Sequence, residues 1–299
     1  MSGLFSRFTW PLQSGSTVPP EWTGSGFRIA DRIEPVLRYD EIESNWSDEL
    51  TRMHEQEAGR AHPIDLASRG LAIHTLKVFC GDKQDAVALE VGCSSGYLLE
   101  DICREIPHLA LVGADYIAQP LEALAPRIPS VPLLQFDLRR CPLHSESVDA
   151  VVLLNVLEHI DDDMIALKEV ARILKPRGIA HIEVPSNPDC YDIYDEHLLH
   201  HRRYRLKELI SMSEQEGFEV LKATHLGFFV YPAFYAVKQR NKKLLSLPRA
   251  EKESKVAQQI RETRGNAVFS AVMKMEMLLG QVISYPAGIR CVVVLQKKV

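Results

Sequence analysis

The sequence predicts an α/β domain: a mostly parallel sheet covered by helices on both faces. Two observations carry that expectation. Five short apolar runs, at 86–91, 109–115, 131–136, 148–154 and 179–184, alternate with segments of helical periodicity, the pattern of repeated strand–helix units. The first run also ends in an acid and passes through a glycine-rich turn straight into a helix, AVALEVGCSSGYLLE. That arrangement suits a small ligand at the strand end.

Taken in order, residues 1–30 are rich in Ser, Gly and Pro and read as a flexible arm. Residues 31–84 are polar, but Ile64–Val78 places its apolar residues on one helical face, so a helical cap is expected. Trp46, His54 and His62 could reach a site from it. The core domain spans 85–226. Its first strand, Ala86–Val91, is followed by Gly92, which lets the backbone bend sharply, and by Gly96, which lets the next helix start close to a ligand. A dinucleotide fingerprint would need glycine where Ser94 and Tyr97 stand, so close approach to a pyrophosphate, and with it a nicotinamide oxidoreductase, is disfavoured.

The second strand ends at Asp115, about twenty residues beyond the turn, where α/β nucleotide sites place a carboxylate on ribose hydroxyls; Tyr116 and Ile117 would then flank the adenine. The third strand ends at Asp137, followed by Leu138, and the fourth, Val148–Leu154, runs into Asn155-Val156-Leu157-Glu158-His159 and a helix to Leu174. Lys175-Pro176-Arg177-Gly178 stops that helix before the fifth strand. A helix over Arg205–Gly217 and a sixth strand over Phe218–Leu226 follow.

The run E-x-G-x-S-x-G from Glu90, with Cys93 inside the turn, N-x-L-E-H from Asn155 and L-K-P-x-G from Leu174, is similar to class I S-adenosylmethionine-dependent methyltransferases. The resemblance covers about Asp85 to Val220. It implies a Rossmann-like seven-stranded sheet with an antiparallel last strand, for which Arg290–Gln296 fits, and a cap that closes over the cofactor. It implies S-adenosyl-L-methionine as cofactor, held by Glu90, Gly92, Cys93, Ser94, Gly96, Asp115, Tyr116, Asp137, Leu138 and Asn155, with Asp137 accepting from the adenine amino group. It also implies methyl transfer to an oxygen or nitrogen of a small or carrier-linked metabolite. A non-catalytic cofactor-binding partner protein is the alternative.

Residues 227–287 exceed any hairpin and are expected to form a helical insertion, before a final strand within 288–299. It carries an aromatic run, Gly227–Tyr235, beside the basic Lys238–Lys243, a candidate membrane-surface or lipid-linked-substrate element. Ala267–Leu279 reads as amphipathic and is a candidate for pairing with a second subunit.

On the substrate side, His197, His200, His201, Arg202, Arg203 and Tyr204 crowd together after the fifth strand. Arginine recognises carboxylate or phosphate in forked pairs, and histidine can take a proton near neutrality. A substrate pocket is expected, with His201 and then His159 as bases, Arg202, Arg203 and Tyr204 orienting the acceptor, and Asp195 fixing a histidine tautomer. H-x-x-H-H lacks a carboxylate or cysteine set at metal spacing, so no metal is expected. The H-R-R-Y stretch resembles one in family members that methylate sugars or glycolipid intermediates, although His200 replaces their glycine.

The 299 residues are 46% hydrophobic and 25% charged, the balance of a globular protein. A net charge of −5 gives no global attraction to nucleic acid, and no N-P-P-Y or D-P-P-Y tetrad follows the fourth strand. The six cysteines have no C-x-x-C spacing, and neither a signal peptide nor a bilayer-length apolar run is visible, so a cytoplasmic protein with free thiols is expected.

Overall fold

The computed structural model describes residues 5, 8–39, 60–248, 251–256, 258 and 267–299. Trp46 and His54 lie outside the described residues. The chain builds an eight-stranded sheet in the order β10-β11-β9-β8-β5-β6-β7-β4. Its central strands are β5 (Val87–Val91), β6 (Ala110–Asp115), β7 (Leu133–Gln135), β8 (Val148–Leu154) and β9 (Leu174–Pro185). All pair in parallel. The last strand, β11 (Arg290–Lys297), inserts antiparallel between β9 and β10 (Phe218–Leu226), as expected for the antiparallel member.

The eighth strand corrects the expected seven. Leu37–Arg38, β4, pairs in parallel with β7, and the Tyr39 N–H extends the ladder to the Gln135 carbonyl at 3.0 Å. Two residues are too short for a periodicity to show in sequence, but burial of Leu37 pins them to the edge.

β5 is buried at every position, because helices cover both faces of a parallel sheet. Those helices are α1 (Pro63–Cys80), α2 (Tyr97–Glu105), α3 (Ala118–Leu124), α4 (Asp163–Ile173), the short α5 (Ile193–His197) and α6 (Leu206–Gln215). β9 starts earlier than the apolar run predicts, crossing Lys175–Gly178 with Arg177 at a φ of 62°. Strand order reverses between β5 and β8, and open α/β sheets bind ligands beyond the carboxyl ends of their strands at such a switch point.

The segment expected as a flexible arm and the first residues of the expected cap form a second, three-stranded antiparallel sheet: β1 (Glu21–Trp22), β2 (Phe27–Ile29) and β3 (Arg32–Glu34). It is held by aromatic rings. Trp10 meets Phe27 edge-on at 4.9 Å between centroids, Trp22 meets Phe27 at the same distance, and Trp10 and Phe27 join the main core. Ser, Gly and Pro supply its turns rather than disorder.

Between β10 and β11 lie α7 (Tyr231–Lys242) and α8 (Ala267–Gly280). Met273 on α8 packs with Ile64, Ala67 and Leu71 on α1. Buried Glu276 accepts from the backbone N–H groups of Gly227, Phe228 and Phe229, tying α8 to the turn that ends β10. No described helix is long and apolar enough to cross a membrane.

If the amino-terminal sheet is part of the core, Trp10→Ala removes a buried ring and lowers the unfolding free energy by about 3–5 kcal/mol. Urea denaturation reads this directly; an unchanged midpoint would mean the segment is a loose arm after all.

Candidate cofactor and substrate site

The glycine turn is built by its backbone. Gly92 and Gly96 take φ values of 77° and 73° and Ser94 one of 45°, left-handed conformations that favour glycine. A Cβ on Gly92 would lie 2.6 Å from Val156 Cγ2, and one on Gly96 would collide with Leu124. Asp115 at the end of β6 holds the turn in place: Oδ2 accepts from the Ser94 N–H at 2.9 Å and Oδ1 from Ile117 N–H at 3.0 Å.

Glu90, at the end of β5, is 5% exposed. Its Oε2 finds no hydrogen-bond partner among the described residues. Burial pushes its carboxyl well above the ordinary range, and the nearby Asp115 charge adds to the rise while Arg69 opposes it. An unpaired buried carboxyl is costly, and a cationic ligand group is one way to satisfy it.

Glu90, Gly92, Cys93, Ser94 and Asn155 line one cleft of about 150 Å³. Asn155 adopts φ 55° and donates its N–H to the Glu183 carbonyl at 2.9 Å, so the β8 loop turns toward the cleft. Asp137 does not line this cleft. It caps the 3-10 turn Leu138–Arg140 and binds the Arg139 guanidinium at 2.8 Å. Burial alone would raise that carboxyl, but hydrogen bonds from Arg139 outweigh it and hold it below the usual range. Leu138 is a core residue, and the Tyr116 carbonyl accepts from Gln135.

The opposite wall of the cleft is absent from the sequence reading. Arg290, at the start of β11, reaches Glu183 at 2.7 Å, Ser68 at 2.6 Å and Asp65 at 2.6 Å. Glu183, an acid inside the apolar run of β9, was the available signal: a fully buried carboxylate demands a cation. Arg69 on α1 pairs with Asp101 at 2.8 Å and lies over the Tyr97 ring.

The histidine–arginine cluster is drawn together, but not as the substrate pocket expected from sequence. Arg203 is 5% exposed and its Nη1 binds Asp195 at 3.1 Å, while Nε donates to the Ser186 carbonyl. Tyr204 is fully buried and donates to Asp163 at 2.7 Å. Arg202 pairs with Glu208 and Asp163. These bonds correct the expectation for Arg203 and Tyr204: both hold the loop from within, and neither offers a free face to an acceptor. Asp195, as expected, bonds a histidine, with His200 Nδ1 2.8 Å from its Oδ1. Burial would raise the Asp195 carboxyl, but the His200 bond, Lys238 and Arg203 together hold it far below the usual range.

The rings of His159 and His200 meet edge-on at 4.8 Å. Glu158 lies against them, so that one ligand atom from each of the three falls within 4.8 Å of the others. The carboxylate that H-x-x-H-H lacks in sequence is therefore supplied in space from the end of β8. Glu158 is fully buried, and burial pushes its carboxyl up to about 8 against the pull of its own amide, Arg290 and Arg203. His201 is exposed and donates its backbone N–H to the Glu158 carbonyl at 2.8 Å; His197 ends α5.

Comparison with known proteins agrees with this geometry. A family profile described as a methyltransferase domain matches residues 89–182. A protein of Mycolicibacterium smegmatis named a probable S-adenosylmethionine-dependent methyltransferase is 32% identical over 137 residues, covering 44% of this chain and 51% of the relative. A trans-aconitate 2-methyltransferase of Azoarcus is 29% identical over 104 residues, 35% of this chain and 41% of its own. The chain thus spans about half the length, or less, of these curated relatives. Among solved structures, Haemonchus contortus phosphoethanolamine N-methyltransferase 2 with S-adenosyl-L-methionine superposes with a TM-score of 0.55 at 16% identity, over 86% of this chain and 59% of that one. A methyltransferase of Galdieria sulphuraria gives 0.56 at 17% identity, over 84% and 99%. In strand order, in the acid-ended glycine turn and in these matches the chain is thus similar to class I S-adenosylmethionine-dependent methyltransferases, with residues 89–182 matching a methyltransferase domain.

Proposed function

We propose that the protein transfers a methyl group from S-adenosylmethionine to an oxygen or nitrogen of a small or carrier-linked metabolite. The observation that carries this reading is Glu90: a buried carboxyl with an unpartnered oxygen, at the switch point of a parallel sheet, beside a turn whose glycines leave no room for a Cβ.

In this reading Glu90 meets the cofactor's ammonium, and the Gly92–Ser94 backbone, Gly96 and Asn155 cradle the rest. Asp115 orders the turn from the end of β6, the position from which a carboxylate accepts from ribose hydroxyls in α/β nucleotide sites. The bound sulfonium would make its methyl an electrophile. The protein's task is then to align the acceptor and exclude water, an orientation effect worth several kcal/mol. An oxygen acceptor also needs its proton taken as the new bond forms. His201, exposed on the loop beside Glu158, is the first candidate base and His159 the second.

The α7 region supports a lipid- or carrier-linked acceptor. Phe229, Tyr235 and Val237 are exposed there, close in sequence to Arg240, Lys242 and Lys243, and apolar side chains beside cations suit a membrane surface or an anionic amphiphile.

Two outcomes test the cofactor assignment. Burial holds the Glu90 carboxyl well above the ordinary carboxylate range, which favours its neutral form in the free site. An ammonium partner favours the ionised form, so binding expels a proton and affinity rises as pH climbs from the ordinary carboxylate range through the raised value. Calorimetry with S-adenosylhomocysteine in buffers of different ionisation enthalpy should detect that release, and Glu90→Gln should abolish it; binding without proton release would remove the ammonium–Glu90 contact from the account. Gly96→Ala puts a side chain at a left-handed position that costs about 1–2 kcal/mol and collides with Leu124. Labelled-methyl turnover should fall at least tenfold in this variant, and full turnover would show that the turn does not cradle the cofactor.

A further inference from the structure

The geometry points to a divalent-metal site formed by Glu158, His159 and His200, beyond the carboxyl end of β8. One ligand atom from each lies within 4.8 Å of the others. The donor set is one carboxylate and two imidazoles, which suits zinc and its first-row neighbours and recurs in catalytic zinc sites with an open coordination position.

Independent of that proximity, Glu158 is 0% exposed, and neither of its carboxylate oxygens has a hydrogen-bond partner among the described residues. A buried carboxylate with two idle oxygens has high affinity for a cation. The neighbouring cations are already taken: Arg203 by Asp195, and Arg290 by Glu183 and Asp65. A metal ion would supply the missing charge.

His200 is prepared for such a role. Its Nδ1 lies 2.8 Å from Asp195 Oδ1, and that carboxylate is itself fixed by Arg203 and Lys238. With the Nδ1 proton donated to Asp195, the neutral imidazole presents the Nε2 lone pair, the carboxylate–histidine–metal arrangement in which an outer carboxylate sets tautomer and ring orientation. The backbone holds the other two ligands beside it, because the His201 N–H is bonded to the Glu158 carbonyl at 2.8 Å. Metal bonds of about 2.1 Å place tetrahedral donors roughly 3.4 Å apart, so from separations of up to 4.8 Å the three groups need to close by at most about 1.4 Å on binding.

Three protein donors leave room for a water or a substrate oxygen. Asn155, which lines the cofactor cleft, precedes Glu158 by one turn of chain. A hydroxyl of the acceptor coordinated there would ionise more readily. That use of the metal rests on the methyltransferase reading and leaves His201 as the base, because a metal-bound His159 does not take the acceptor's proton; the binding of the metal does not rest on that reading.

The test is a titration of tag-free, chelator-stripped protein with Co2+, read by its ligand-field absorption, followed by displacement with Zn2+. The unmodified protein should saturate at about one equivalent with a low-coordinate visible band, and zinc should bleach it. Glu158→Gln and His200→Asn should each weaken binding by at least about tenfold. His159→Asn serves as a substitute wherever one of these fails to give a native circular dichroism spectrum. Absence of a saturable band in the unmodified protein, or undiminished binding in a folded Glu158→Gln variant, would overturn the site and leave Glu158 a buried neutral acid. Methyl transfer is not read, so the outcome is independent of the proposed reaction.

Discussion

Four of the acids buried around the carboxyl end of the sheet, Glu90, Glu158, Glu183 and Asp195, shape the site, and its arrangement follows from how each is met. Taking a carboxylate out of water costs several kcal/mol unless a cation or donors replace the solvent. Glu183 keeps one idle oxygen, but its other oxygen is met by Arg290 and Ser68. Asp195 is met by His200, Arg203 and Lys238. Glu90 keeps one idle oxygen, and Glu158 keeps two. The pair that binds arginine builds walls and fixes loops. The pair for which no such ion pair forms among the described residues marks where a ligand would complete the structure.

This division explains why residues far apart in sequence share one region. Arg290 from the last strand and Ser68 from the first described helix converge on Glu183, closing the cleft opposite the glycine turn. Lys238 from α7 reaches back to Asp192 and Asp195 and so ties the insertion to the loop after β9. Glu276 does the same for α8 by capping the amides that follow β10. The insertion is therefore anchored by buried charge as well as by the apolar contacts of Met273.

The sheet was legible because each central strand is a short apolar run stopped by an acid or a turn, a pattern that burial on two faces enforces. Val148–Leu154 and Phe218–Leu226 match the expected bounds residue for residue. Glu90, Gly92 and Gly96 were legible for the same local reason: the strand–turn–helix is contiguous. The amino-terminal sheet was not, because Trp10, Trp22 and Phe27 are isolated aromatics in Ser/Gly/Pro-rich chain and gain meaning only when folded together. Arg203 and Tyr204 illustrate the converse. Their chemistry suggests a ligand, but sequence carries no measure of burial, and in the fold their polar atoms are turned on Asp195 and Asp163. Glu158 escaped notice beside the histidines because its partner His200 follows only after α4 and β9.

The central claim is that Glu90 and the adjoining turn receive the aminoacyl and adenosyl parts of one ligand. A crystal structure with S-adenosylhomocysteine tests it most directly. The account predicts the ligand amino group within hydrogen-bond distance of Glu90 and the adenosyl moiety against Gly92–Ser94. Density for the ligand elsewhere, with Glu90 still unpartnered, would contradict it.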